Sequence, residues 1–126
     1  MPFPVSLVTP EAILFEGEAS IVIARGIDGE LGIQANHAPI IVALDIGQLF
    51  IRESDGTQVR AAVHGGFLEM SNNVCTVLAD VAEVSEQIDV GRAQEALERA
   101  ERAERAGDGE AEAAAKRART RLDVAG

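Results

Sequence analysis

Arg117 and Arg121 stand four residues apart, so on a helix they share one face. Two planar guanidinium groups on one face can fork onto phosphate or carboxylate oxygens. Asp89 and Arg92 lie three apart within Ile88-Asp89-Val90-Gly91-Arg92-Ala93. An aspartate there can accept a ligand's hydrogen-bond donors or cap a helix, with Arg92 as its ion-pair partner. On the plain reading, the later arginines are a solvated basic face.

Other reactive side chains are sparse. His37, in Asn36-His37-Ala38-Pro39, has no second His, Cys or Asp at metal-ligand spacing, so it reads as a turn-stabilising or subunit-facing residue. His64, just before Gly65-Gly66, reads as a solvated strand end. Cys75 lies in a strand-like run, Asn73 to Ala79, and reads as a packed thiol, with no base beside it to activate it. Gly65-Gly66-Phe67 lacks the lysine of a phosphate-binding loop. An acid–base enzyme built on Glu30 and His37 has only their closeness in sequence behind it. The chain therefore reads as non-catalytic, with neither metal nor resident cofactor.

The elements that must position these residues divide the chain in two. Its 126 residues are 47% hydrophobic but only 3% aromatic, all phenylalanine, so the core must be aliphatic. The net charge of −10 argues against nucleic acid or an anionic membrane surface as a direct partner. Residues 1–84 hold 11 acids and 3 bases, whereas residues 85–126 hold 10 acids and 8 bases with an alanine bias. That shift sets a boundary near Ser85. A single cysteine allows no internal disulfide and suits a reducing compartment. The start, Met1-Pro2-Phe3-Pro4-Val5, has no basic targeting region, and no apolar run approaches the ~18 residues of a membrane span.

From Phe3 to Val84, β-branched runs alternate with turn signals, which predicts eight to ten short strands in two facing sheets. Asp55-Gly56 and Ser71-Asn72-Asn73 mark hairpin turns. After Ser85 the period becomes helical. Asp89 caps a helix running from Val90 to Ala106, with Ile88 and Ala93 as a hydrophobic staple and Gly107 as its left-handed stop. Glu95/Arg99, Glu98/Arg102 and Glu101/Arg105 are i,i+4 pairs, while Ala93, Leu97, Ala100 and Ala103 or Glu104 form the apolar stripe. A second helix from Glu110 to Val124 carries the stripe Ala111, Ala115, Ala118 and Leu122. The predicted class is α+β: an N-terminal antiparallel β-sandwich (1–84) followed by a C-terminal antiparallel two-helix hairpin (85–126). Alanine stripes bury little, so the hairpin is expected to be weakly docked.

Gly29-Glu30-Leu31-Gly32-Ile33, Asn36-His37-Ala38-Pro39 and Gly65-Gly66-Phe67-Leu68-Glu69 occur in one order along the chain. This series resembles the epsilon subunit of bacterial F-type ATP synthases nearly end to end. The resemblance implies a rotor subunit that joins the gamma subunit to the polar loops of the membrane c-ring and regulates ATP hydrolysis. Glu30, Leu31, Gly32, Ile33 and His37 would then meet the c-ring or gamma. The Ile88–Ala93 segment is similar to the I-D-x-x-R-A pattern through which some relatives bind ATP. By that similarity Glu83, Asp89, Arg92, Arg99, Arg117 and Arg121 would hold ATP as a regulatory ligand. Gly91 weakens the first helical turn by about 1 kcal/mol, and a short inter-helix connection could displace Arg117 and Arg121. The same basic second helix, extended, would press on the catalytic beta subunit. The implied location is the cytoplasmic face of a bacterial plasma membrane, reached only through the complex, and the lack of a transit segment favours a bacterial source.

Overall fold

The computed structural model describes residues 1–126, as seven strands followed by two helices. The strands are β1 (Phe3–Val8), β2 (Ile13–Gly26), β3 (Gly29–Ile33), β4 (Ile40–Glu53), β5 (Gln58–Ser71), β6 (Val74–Ala79) and β7 (Ala82–Val84). Hydrogen bonding runs in the order β1-β6-β5-β4-β2-β3, and β1 also pairs with β2, so the sheet closes on itself. The strand count is lower than the sequence pattern predicts because β2, β4 and β5 are each 14 residues long. Each runs on far enough to pair with different neighbours along its length. The first half of β2 pairs with β1 and its second half with β3, with register shifts between. In β5, the first half pairs with β7 and the second with β6. Gly66 bends the strand there: its φ is +121°, and an added Cβ would lie 2.1 Å from the Leu78 carbonyl oxygen.

The expectation of a purely antiparallel sandwich needs one correction. β1 and β6 run parallel, with Val5 opposite Cys75 and Leu7 opposite Val77. Most of the sandwich lies between them along the chain, which supplies the long crossover that a parallel pair requires. Inside, 17 buried residues form one core that includes Phe3, Leu7, Ile33, Leu49, Ile51, Leu68 and Met70. Cys75 is fully buried there, and burial pushes its thiol up to about 11, so it stays protonated.

The local turn chemistry is as predicted. Asp55-Gly56 joins β4 to β5, and Asn72-Asn73, with φ of 51° and 61°, joins β5 to β6. Helix α1 spans Val90–Arg105, with Asp89 Oδ1 accepting the Arg92 N–H at 3.0 Å. It ends in a Schellman motif. Gly107, at φ +90°, donates to Glu104 O, and Asp108 N donates to Ala103 O, both at 3.0 Å. Helix α2, Ala111–Ala125, then packs on α1, β4 and β5.

The apolar stripes are narrower on α1 and wider on α2 than expected. Ala93 and Ala100 are buried on α1, whereas Leu97 and Ala103 are half-buried and Glu104 is exposed. On α2, Ala111, Ala115 and Ala118 are buried, as are Thr120 and Val124, but Leu122 is half-buried. Helix α2 is covered from two sides, by α1 and by the sandwich, and a single stripe does not describe that. None of the expected Glu–Arg pairs within α1 forms. Arg119 of α2 instead approaches Glu101 and Glu104 at 4.0 and 3.9 Å, because the folded-back hairpin brings a second helix within reach.

Candidate functional site

A cleft opens where the end of the sandwich, the start of α1 and the side of α2 converge. The last strand delivers Glu83, a 3-10 turn at Ser85–Gln87 delivers Gln87, α1 delivers Arg92, Glu95 and Arg99, and α2 delivers Arg121. Asp89, Ala93 and Ala96 complete the lining of a cleft of about 410 Å³. The turn is fixed locally, since Gln87 Oε1 accepts the Val84 N–H at 3.1 Å. Of the six residues expected to hold a nucleotide, the fold gathers Glu83, Asp89, Arg92, Arg99 and Arg121. Arg117 does not line the cleft.

The cleft walls carry three carboxylates and three guanidinium groups, so they are close to neutral. Arg121 Nε donates to Glu83 Oε1, which ties α2 to the end of the sandwich. Its terminal nitrogens can still fork onto an anion, as can Arg92 and Arg99. Asp89 Oδ1 is spent on the helix cap, leaving its second oxygen to accept a donor. The arrangement suits a ligand that carries both anionic oxygens and amine or hydroxyl donors. No group of three His, Cys, Asp or Glu side chains is disposed to hold a metal ion.

A second tie between hairpin and sandwich lies on the other side of α2. Lys116 Nζ donates to Asp45 Oδ2 at 2.8 Å. That hydrogen bond, with one from the Ile46 N–H, holds the Asp45 carboxyl below its ordinary value.

The residues expected to meet other subunits are only partly available. Glu30 to Ile33 are not a loop tip but most of edge strand β3, paired with Arg25, Ala24, Ile23 and Val22 of β2. Ile33 is fully buried and Leu31 packs against the core, so neither offers its side chain freely. The alternation of a strand turns them inward, and Ile27 and Asp28 occupy the actual tip. Glu30, Gly32 and His37 are exposed, and Gly32 and His37 border one shallow depression. His37 Nδ1 lies 2.7 Å from Ala38 O, and its loop is tethered where Asn36 N donates to Asn73 Oδ1 at 2.7 Å.

Residues 2–85 match the family described as the beta-sandwich domain of the ATP synthase Delta/Epsilon chain. The chain belongs to the ATP synthase epsilon-chain family. It is 48% identical over 126 residues to the ATP synthase epsilon chain of Thermobifida fusca, covering 96% of this chain and 90% of the relative. To the epsilon chain of Streptomyces coelicolor it is 43% identical over 121 residues, covering 96% and 93%. Among solved structures, a chain of the Euglena gracilis mitochondrial ATP synthase (OSCP/F1/c-ring, rotational state 1) shares the fold. The TM-score is 0.76 at 21% identity, covering 98% of this chain and 76% of that one. These epsilon-chain relatives match well beyond the sandwich, since the Streptomyces and Thermobifida alignments take in the hairpin.

Two features escaped the sequence reading. One is an apolar row on the outer face of the sandwich: Ala43, Phe67, Leu78 and Val8 stand in register across β4, β5, β6 and β1. Phe67 is 54% exposed, Leu78 52%, and Ile41, diagonal to Phe67, 68%. Only Phe67 falls in a quoted motif, Gly65–Glu69; the other members lie far apart in sequence and become its neighbours only through strand register. The other is His64, which is buried rather than solvated, because α2 covers the face of β5 on which it sits.

Proposed function

We propose that the chain is a non-catalytic rotor subunit of an F-type ATP synthase whose docked hairpin senses ATP. The observation that carries the sensing role is the cleft, which draws Glu83, Asp89, Arg92, Arg99 and Arg121 from three separate elements. A ligand bridging Arg92 or Arg99 on α1 and Arg121 on α2 favours the compact form in proportion to its differential affinity for it. Without that ligand the hairpin extends, and the basic side of α2 (Lys116, Arg117, Arg119) opposes acidic segments of the catalytic beta subunit.

The coupling role belongs to the sandwich. Its exposed apolar row around Phe67 and Leu78 takes the gamma subunit. Glu30, Gly32 and His37 meet the polar loops of the c-ring. What supports this assignment is family membership and the size of the exposed side chains, together with the setting of the Euglena neighbour, described as OSCP/F1/c-ring. The chain then sits at the cytoplasmic face of a bacterial membrane through its partners. None of its helices is long and apolar enough to cross one.

Calorimetric titration of the full chain with ATP and with ADP tests the sensing role. Saturable ATP binding, lost in Arg92→Ala, is expected. No heat and no thermal stabilisation at millimolar ATP would remove the nucleotide and leave a purely mechanical tail. For the coupling role, Phe67→Glu should abolish co-purification with gamma while the sandwich stays folded. Undiminished capture would move gamma to another face.

A further inference from the structure

His64 lies at the seam between sandwich and hairpin. Along β5, Ala61 and Val63 belong to the sandwich core, whereas Ala62 packs with Ile88 and with Val124 of α2. Alternation puts His64 on the same helix-covered face as Ala62. It is only 8% exposed, and neither Nδ1 nor Nε2 has a hydrogen-bond partner. Its backbone is held by the sheet, with His64 N donating to Val81 O at 2.8 Å.

The charged groups around the ring come from several elements. Helix α2 contributes Arg121 and Arg117, and β7 contributes Glu83. On β4, Asp45 precedes Ile46, the register partner of His64, and is committed to Lys116. In the β6–β7 turn, Asp80 lies against Gly65. Glu83 is the acid that acts on the ring, and it is already engaged by Arg121. An imidazolium here would carry two unpaired N–H donors and a buried charge beside two guanidinium groups.

We propose that His64 is a proton-operated latch, in which protonation of its ring releases the C-terminal hairpin from the sandwich while the sandwich stays folded. The inference rests on the reading of the hairpin as a regulatory element and supplies that element with a second input, protons beside nucleotide, with Arg121 and Glu83 common to both. Burial, reinforced by Arg121, holds the docked histidine down to about 4 from its ordinary 6.5, and Glu83 opposes this only in part. A released hairpin exposes the ring to water and restores the ordinary value. The docked form therefore binds fewer protons than the released form. Docking is at full strength above pH 6.5, weakens roughly tenfold per pH unit below it, and levels off near pH 4. The Asp45–Lys116 tie fails in a lower window, because the lowered carboxyl of Asp45 takes up protons only below its ordinary 3.8.

Nuclear magnetic resonance of the full chain without nucleotide, titrated from pH 7.5 to 4.5, tests the latch. The His64 ring and the α2 amides are followed together, with exposed His37 as an internal reference. The expected result is a shared transition of His64 and α2, with β-sandwich signals unchanged and the transition absent in His64→Gln. If His64→Gln fails to dock at pH 7.5, His64→Leu, which fills the site without a proton, should remain docked at pH 4.5. A His64 ring titrating near 6.5 with α2 unmoved would overturn the proposal. So would variants that release α2 with the same pH profile as the parent. Because ATP is absent throughout, loss of the latch and loss of the nucleotide site are separate outcomes.

Discussion

The sandwich and the hairpin are held by different physics. The sandwich buries Phe3, Leu7, Ile33, Leu49, Ile51, Leu68 and Met70 in one continuous core, closed by backbone ladders on nearly every strand. Between sandwich and hairpin, the buried apolar cluster consists of Ala62, Ile88 and Val124, supplemented by the Arg121–Glu83 and Lys116–Asp45 ion pairs. Both pairs are partly exposed, so each contributes at most about 1 kcal/mol. A side chain such as Leu68 contributes several times what an alanine methyl does. The lesson is that one part can move without the other unfolding, as the regulatory role proposed for the hairpin requires.

That contrast can be broken by mutation. Leu68→Ala should destabilise the sandwich by about 3 kcal/mol, read as a lower denaturant midpoint for the whole chain. If the helices alone responded, the sandwich would not be the dominant unit. Val124→Ala removes two methyl groups from the seam and should weaken docking by about 1.5 kcal/mol. Faster hydrogen exchange in α2, with β4 and β5 unchanged, would show it. Equal acceleration in the sheet would mean that the two regions unfold together. Arg92 is exposed, so Arg92→Ala should shift neither region's stability by more than about 0.5 kcal/mol while removing ATP binding. A large stability loss from this change would turn the cleft into a structural feature.

Signals that depend on neighbours in the chain were legible. Asp89 as a cap, Gly107 as a stop, and the Asp55-Gly56 and Asn72-Asn73 turns all act within a few residues. Contacts across the fold were less so. The expected Glu–Arg pairs of α1 yield to Arg119 approaching from the opposite helix. Ile33 sits in a motif suited to an exposed tip, yet the pleat of β3 turns it into the core. For the cleft, the motif at Ile88–Ala93 identified its α1 side, and the family resemblance supplied Glu83 and Arg121. The exclusion of Arg117 depends on how α2 is rotated against the sheet, and the spacing of four from Arg121 does not specify that.

Sequence alone determined the division into an acidic, strand-forming body and a charge-balanced, alanine-striped tail, since composition and periodicity are local properties. It also placed the caps and turns that bound the elements, because each acts through a backbone group only a few positions away. Tertiary structure decided which outward face became an exposed apolar row and which residues share the cleft. It also buried His64, whose polar ring the covering helix removes from water without giving it a partner. Those outcomes depend on strand register and helix docking, which bring together side chains that the sequence keeps far apart.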